Sequence, residues 1–328
     1  MATVFALVAG GCTLQSAPTA ARPALTTTAA PLALPTCTRW HDEGARARGV
    51  LAGGGERVRF ELRRPQQATA ARRPLVLLVP ILAGGADLME LVAQRLCAED
   101  FDGAFCARAG DALLPPQRGA ELDELFRRTV LHQRLLLRWL ASGPEAPPAT
   151  FVLGISLGGM VATVVAAEEP TVQGLAVCFS GGDLPSLMLA SSEPIVREWI
   201  DWRRTTDGID GDALGHELRR CLAHEPLRYA PRVATDKVLF VDAELDTVVP
   251  RRNQALLWEA LGRPQRLSLP LGHYTSVLAL DRVILATADH FRSLARPGEP
   301  GASAGLARRA ARPFDLGPPD SPLAPDFP

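Results

Sequence analysis

Residues 149–170 read ATFVLGISLGGMVATVVAAEEP. An apolar run rich in β-branched residues leads into Gly154, Ser156 and Gly158, and an alanine- and valine-rich segment follows. The apolar run has the length of a strand buried on both faces of a parallel sheet. The segment after it reads as a helix, so Ser156 falls on a strand-to-helix turn. A turn that tight presses the residues two before and two after the serine against each other and against the next strand. Gly154 and Gly158 meet that demand, and Gly159 leaves further room. The serine hydroxyl then leaves the carboxyl end of the sheet, where open α/β folds bind ligands. Two readings fit: a nucleophile held on a strained turn, or the ordinary packing turn of an α/β protein. Partners elsewhere in the chain must separate them.

Working outward, PLVLLVPIL (74–82) is another continuously apolar strand, ADLMELVAQRLCAE reads as a helix, and GAFCARAG as the next strand. A long helix is expected from Glu121 to Ser142, with Leu122, Phe126 and Val130 at four-residue spacing on one face. VQGLAVCFS, DKVLFVDA and QRLSLPLG supply three more strands, and RGVLAGGGERVRFELRRP an antiparallel pair around a glycine turn. The sum is an α/β fold: a doubly wound, mostly parallel sheet of eight strands. The interval from Leu184 to Thr235 is too long for a simple crossover. It holds Trp199, Trp202 and an amphipathic helix with Leu214, Leu218 and Leu222 in register. We expect a helical cap over the ligand crevice, its aromatics favouring a modest apolar group; a surface decoration is the alternative. Residues 1–35 form a leader and tether, 36–295 the folded domain with the insertion at about 184–235, and 296–328 a Pro/Gly-rich tail.

The 328 residues are 47% apolar, enough for a substantial core. With 35 basic and 36 acidic side chains the formal charge is −1, so no basic field exists to attract a nucleic acid. Lys237 is the only lysine. The preference for arginine, with abundant Ala and Pro, reads as genome composition. Cysteines show no C-x-x-C spacing and no His–Cys cluster, so no zinc site is expected. Cys178 belongs to a core strand. Cys97 and Cys106 could form a short-range disulfide in an oxidising compartment.

A serine hydroxyl attacks at neutral pH only when a base takes its proton and an acid orients that base. On this kind of sheet the order is serine, acid, histidine. KVLFVDAELDTVVP runs from a buried strand into a loop with Asp246, and RLSLPLGHYTSVL runs from the last strand into Gly272 and His273. Three groups past three strand ends, in that order, favour the nucleophile reading. Asp242, at a strand end, competes as the acid, or holds the loop through nearby backbone N–H groups. Asp183, after the sixth strand, competes as well. His132, His216 and His224 fall on helices as surface or packing residues, His290 lies inside the last helix, and His41 precedes the sheet.

The segments GISLGG, AELDTVVP and LGHYTS resemble the α/β-hydrolase family, and the resemblance runs from about Val58 to Ala295. It implies Ser156 as nucleophile, His273 as general base and acid, and Asp246 as the orienting carboxylate. It also implies an oxyanion hole from the backbone N–H of Leu157 and a second donor at Leu82, although Pro80-Ile81 stands where many members carry His-Gly. The implied activity is hydrolysis of a small-molecule carboxylic ester through an acyl-enzyme, without cofactor or metal. Thioesterase, amidase and acyltransferase chemistry use the same three groups, and a non-catalytic lipid- or partner-binding protein is the alternative of another class. At the N-terminus, LVAGGC resembles the lipobox of bacterial lipoproteins, which implies lipidation at Cys12, with Ala9 where leucine is usual and no basic residue ahead of the apolar run. The expected location is the cell envelope, lipid-anchored or secreted, with the cytoplasm as the alternative. No apolar run reaches the roughly 18 residues of a membrane span, so any membrane contact is through that anchor.

Overall fold

The computed structural model describes residues 32–66, 72–82, 86–143 and 145–295. Cys12, nearly all of the leader and tether, and the 296–328 tail lie outside them. Three strands come first: β1 (Thr36–Asp42), β2 (Arg46–Gly53) and β3 (Glu56–Arg63). They pair antiparallel in succession, and β3 pairs antiparallel with β5 (Asp102–Cys106). Between them come β4 (Leu75–Val79) and α1 (Ala86–Cys97). After β5 follow α2 (Gly119–Leu140), β6 (Thr150–Ile155), α3 (Leu157–Glu168) and β7 (Gly174–Cys178). An insertion of α4 (Leu184–Ala190), α5 (Pro194–Asp207), α6 (Gly211–Cys221) and α7 (Pro226–Tyr229) precedes β8 (Val238–Ala243). The chain closes with α8 (Arg251–Ala260), β9 (Gln265–Leu269) and α9 (Leu280–Ala295). The sheet order is β1-β2-β3-β5-β4-β6-β7-β8-β9, parallel from β5 onward.

The described sheet thus has nine strands where eight were expected, and the additional one is β1. Its sequence, TCTRWHD, carries no apolar alternation, and nearly all of it is exposed. An edge strand held by one ladder needs no buried face, so hydrophobic period has no hold on it. The long helix begins two residues earlier than expected and stops at Leu140. His132 on its inner side is buried and meets Glu56 at 3.1 Å. Hydrogen bonds from Arg128 and then His132 hold the Glu56 carboxyl down to about 2.

Period-two alternation divides each central strand between two cores. Leu75, Leu77 and Val79 of β4 face one side with Val161 and Val165 of α3 and Leu257 of α8. Val76 and Leu78 face the other with Met89 and Val92 of α1 and Ile284 and Phe291 of α9. Strands buried on both faces must be continuously apolar, which is why β4, β6, β7 and β8 were legible as uniform runs. Since α1 returns to β5 on one side of β4 and α2 crosses to β6 on the other, the winding reverses at β4. The crevice of such a sheet opens there, at the carboxyl ends.

A third cluster joins the insertion to the sheet's carboxyl end. Leu187, Val196, Trp199, Leu214 and Leu218 pack with Met160 of α3 and with Val248 and Val249 after β8. Trp199 Nε1 donates to the Gln117 carbonyl at 2.9 Å, and Trp202 lies under the Arg118 guanidinium. Both tryptophans are committed to the segment ahead of α2. Cys97 and Cys106 are free thiols, and burial pushes both up to about 12. No described helix is long and apolar enough to cross a membrane.

Candidate active site

Ser156 occupies the single residue between β6 and α3, with φ 55° and ψ −124°. A non-glycine residue at positive φ costs about 1–3 kcal/mol, and it persists only where its surroundings over-determine it. Here they do. The Ser156 N–H donates to the Cys178 carbonyl at 2.8 Å, tying the turn to β7. A Cβ on Gly154 would lie 2.2 Å from the Gly158 oxygen, and one on Gly158 would lie 2.2 Å from the Val79 oxygen. One on Gly159 would stand 2.6 Å from Ser180 Cβ. The spacing G-x-S-x-G is therefore a steric requirement of this turn. Leu157 begins α3, and its N–H has no hydrogen-bond partner among the described residues, as expected at a helix start without a side-chain cap.

Asp246 lies in the loop after β8 and His273 in the loop after β9. The two loops are laced together by Glu244 N–H to the Leu269 carbonyl at 2.8 Å and Leu245 N–H to the Leu271 carbonyl at 3.0 Å. Asp246 Oδ1 accepts from the N–H groups of Val248 and Val249 at 2.9 and 2.8 Å, and Oδ2 stands 2.7 Å from His273 Nδ1. The aspartate side chain is fully shielded and the imidazole is 12% exposed. A carboxylate only accepts, so this contact places the imidazole proton on Nδ1 and leaves the Nε2 lone pair available as a base. Ser156, Asp246 and His273 emerge from the carboxyl ends of β6, β8 and β9 in the parallel part of the sheet, where β7 lies between β6 and β8. No hydrogen bond joins Ser156 to His273 in this structure.

Of the competing aspartates, Asp242 has its carboxylate engaged elsewhere, while the bonds of Asp183 are made by its backbone. Asp242 takes Arg266 Nε and Nη2 at 2.8 and 2.6 Å and the Ser268 hydroxyl at 2.8 Å. It braces β8 against β9 through side chains, and the expected bonds to loop N–H groups are not made. Asp183, left-handed at φ 55°, starts α4 and donates its N–H to Glu225. His224 pairs with Asp123, His41 with Glu43, and His216 is exposed. His290 meets the Lys237 carbonyl, and burial pulls its pKa down.

Ser156, Leu157 and Leu82 share a cavity of about 130 Å³. Its walls are mainly apolar, with Phe126, Met160, Leu184, Met188 and Val248 among them. Neither Trp199 nor Trp202 reaches it, so the pocket is shaped by aliphatic side chains and Phe126 rather than by the insertion's tryptophans. Three polar groups escaped sequence reasoning. Glu225 closes the insertion, accepting from Asp183, Leu184 and Leu227 N–H at 2.9, 2.7 and 3.1 Å. Glu193, on the cavity wall, accepts from the Tyr274 hydroxyl next to His273. Burial and that bond push the tyrosine up to about 12. Arg108 lines the cavity from the loop after β5. Glu193 and Glu225 each had a signal, the Glu-Pro pair that starts a helix, and Arg108 had none. Among the described residues no group of three or more His, Cys, Asp or Glu is placed to hold a metal ion.

No protein-family model matches the chain, and no curated protein matches it. Solved structures do. A cold-adapted esterase from an Arctic intertidal metagenomic library aligns at TM-score 0.54 and 16% identity, over 79% of this chain and 100% of that one. A 2,6-dihydroxy-pseudo-oxynicotine hydrolase aligns at TM-score 0.58 and 18% identity, over 77% of this chain and 68% of that one. Est1E from Butyrivibrio proteoclasticus aligns at TM-score 0.53 and 11% identity, over 75% of this chain and 99% of that one. At these identities the likeness is one of fold.

Proposed function

We propose that this chain, which has the α/β-hydrolase fold, is a serine hydrolase that cleaves carboxylic esters through an acyl-enzyme. The observation that carries the reading is the Asp246–His273 pair, set at the same end of the sheet as a serine held at positive φ. In this reading Ser156 Oγ attacks the ester carbonyl while His273 Nε2 takes its proton. Asp246 keeps the imidazole in the tautomer and orientation that make Nε2 the base. The oxyanion is held by the unpartnered N–H of Leu157, with Leu82 across the cavity as the second donor. His273 then protonates the departing alkoxide, and water, deprotonated by the same nitrogen, releases the acid. Esters are favoured over other acyl substrates because one of the similar structures is an esterase. The test is turnover of p-nitrophenyl butyrate by purified protein and by Ser156→Ala. A loss of several orders of magnitude in kcat with the fold retained is expected. Equal rates in the two would refute the nucleophile.

A further inference from the structure

The cavity beside Ser156 is apolar on most of its walls, yet an arginine is among its lining residues. Arg108 lies in the loop between β5 and α2 and lines that cavity together with Ser156. Its side chain is 11% exposed, and Nη1 is buried with no hydrogen-bond partner among the described residues. The nearest carboxylate, Asp111, stands 3.9 Å from Nη2 and is 81% exposed, a long and water-screened contact. Arg134 makes the contrast. It is equally shielded but is held by Glu168 at 2.6 Å and Glu169 at 2.7 Å.

The loop that presents Arg108 is fixed. The Ala109 N–H donates to Thr129 Oγ1 at 3.3 Å, and that hydroxyl donates to the Leu125 carbonyl at 2.8 Å on α2. The other charged group on the wall, Glu193, is already engaged by Tyr274 on the His273 side. A buried cation beside an apolar cavity is costly unless an anion completes it.

We propose that Arg108 binds a carboxylate of the substrate, so that the preferred esters carry a free carboxylate a few methylenes from the carbonyl attacked by Ser156. The proposal rests on the serine-hydrolase reading and names its substrate class. A site with an unpaired donor rejects the analogue that lacks the matching acceptor, because the donor then stays buried and unsatisfied. The carboxylate can belong to the acyl half or to the alcohol half; the recognition chemistry is the same.

The test compares kcat/KM for matched acidic and neutral esters in two arms. The acyl arm sets the mono-p-nitrophenyl ester of adipic acid against p-nitrophenyl valerate. The alcohol arm sets the butyrate ester of γ-hydroxybutyric acid against butyl butyrate. The expected result is preference for the acidic ester by wild type in one arm. Arg108→Met lowers the acid-to-neutral ratio there by about 10- to 100-fold, mainly through KM, and Arg108→Lys keeps part of it. Ratios that Arg108→Met leaves unmoved in both arms, whatever happens to absolute rates, overturn the proposal. Wild-type preference for the neutral ester in both arms overturns it too, and that measurement stands if the variants fail to fold. If none of the four esters is turned over and a fluorophosphonate leaves Ser156 unlabelled, the hydrolase reading fails by itself. Calorimetric titration with glutarate then decides for Arg108. Binding that Arg108→Met weakens at least tenfold upholds the carboxylate site, and no binding by wild type refutes it.

Discussion

Asp242 and Asp246 lie four positions apart, and both are almost wholly buried, but their surroundings divide the labour. Arg266 and Ser268 saturate Asp242, whereas Asp246 spends one oxygen on two backbone N–H groups and turns the other to His273. An orienting carboxylate fixes the tautomer of its histidine, so Asp246→Asn is expected to lower kcat by about 10⁴-fold, close to His273→Ala. Asp183→Asn should retain most activity. Steady-state kinetics on folded variants check this, and the opposite ranking would move the acid to Asp183. Ser156 offers a second check, on stability. Its backbone, at φ 55° and ψ −124°, suits glycine. Ser156→Gly should therefore raise the unfolding free energy by about 1 kcal/mol while eliminating turnover. Chemical denaturation that shows a net loss would mean the turn is not strained. Ser156, Asp246 and His273 could be picked out from sequence because each follows a recognisable strand end. Arg108 could not, since an arginine in an irregular loop carries no periodic signature, and the lack of a partner for its Nη1 among the described residues shows only in the folded chain.

Among the elements, the insertion between β7 and β8 is tied at its two ends by one side chain. Glu225 gathers the N–H groups that begin α4 and the one that begins α7, and burial raises its pKa in spite of them. Removing the acceptor leaves three donors with reduced water access, each worth about 1 kcal/mol or more. Glu225→Ala is thus expected to lose about 3 kcal/mol by urea denaturation. It should also speed hydrogen exchange at Asp183 and Leu184 ahead of the sheet strands. Exchange that rises uniformly, or stability that stays within a few tenths, would contradict the clamp. The amphipathic helix α6 was readable from Leu214, Leu218 and Leu222, all of which are buried. The direction faced by Trp199 and Trp202 was not. That depends on the Gln117 carbonyl and Arg118, partners about 80 residues away in the chain. β1 escaped for a related reason: backbone pairing along an exposed edge leaves no apolar pattern to detect.

Over the whole molecule, stability should respond to acid through carboxyls that folding perturbs in opposite senses. Asp102, at the start of β5, has one carboxylate oxygen buried without a partner among the described residues, and burial raises its pKa from 3.8 to about 6. Between those values the folded state keeps a proton that the unfolded chain has released. The Asp102 contribution is accordingly favourable below pH 4 and is lost as pH rises to 6 and beyond. Asp102→Asn should stabilise the protein by about 1 kcal/mol at pH 7.5, a figure reduced for its partial exposure, and change little at pH 4. Thermal melts at the two values test the sign, and destabilisation at pH 7.5 would reverse it. The central claim is that Ser156 is a nucleophile activated by His273, and the most direct measurement is intact-protein mass spectrometry after exposure to a fluorophosphonate, with peptide mapping. One covalent adduct on Ser156, absent in Ser156→Ala and nearly absent in His273→Ala, is the predicted result. A protein that stays unmodified, or is modified at another residue with Ser156 untouched, would contradict the account.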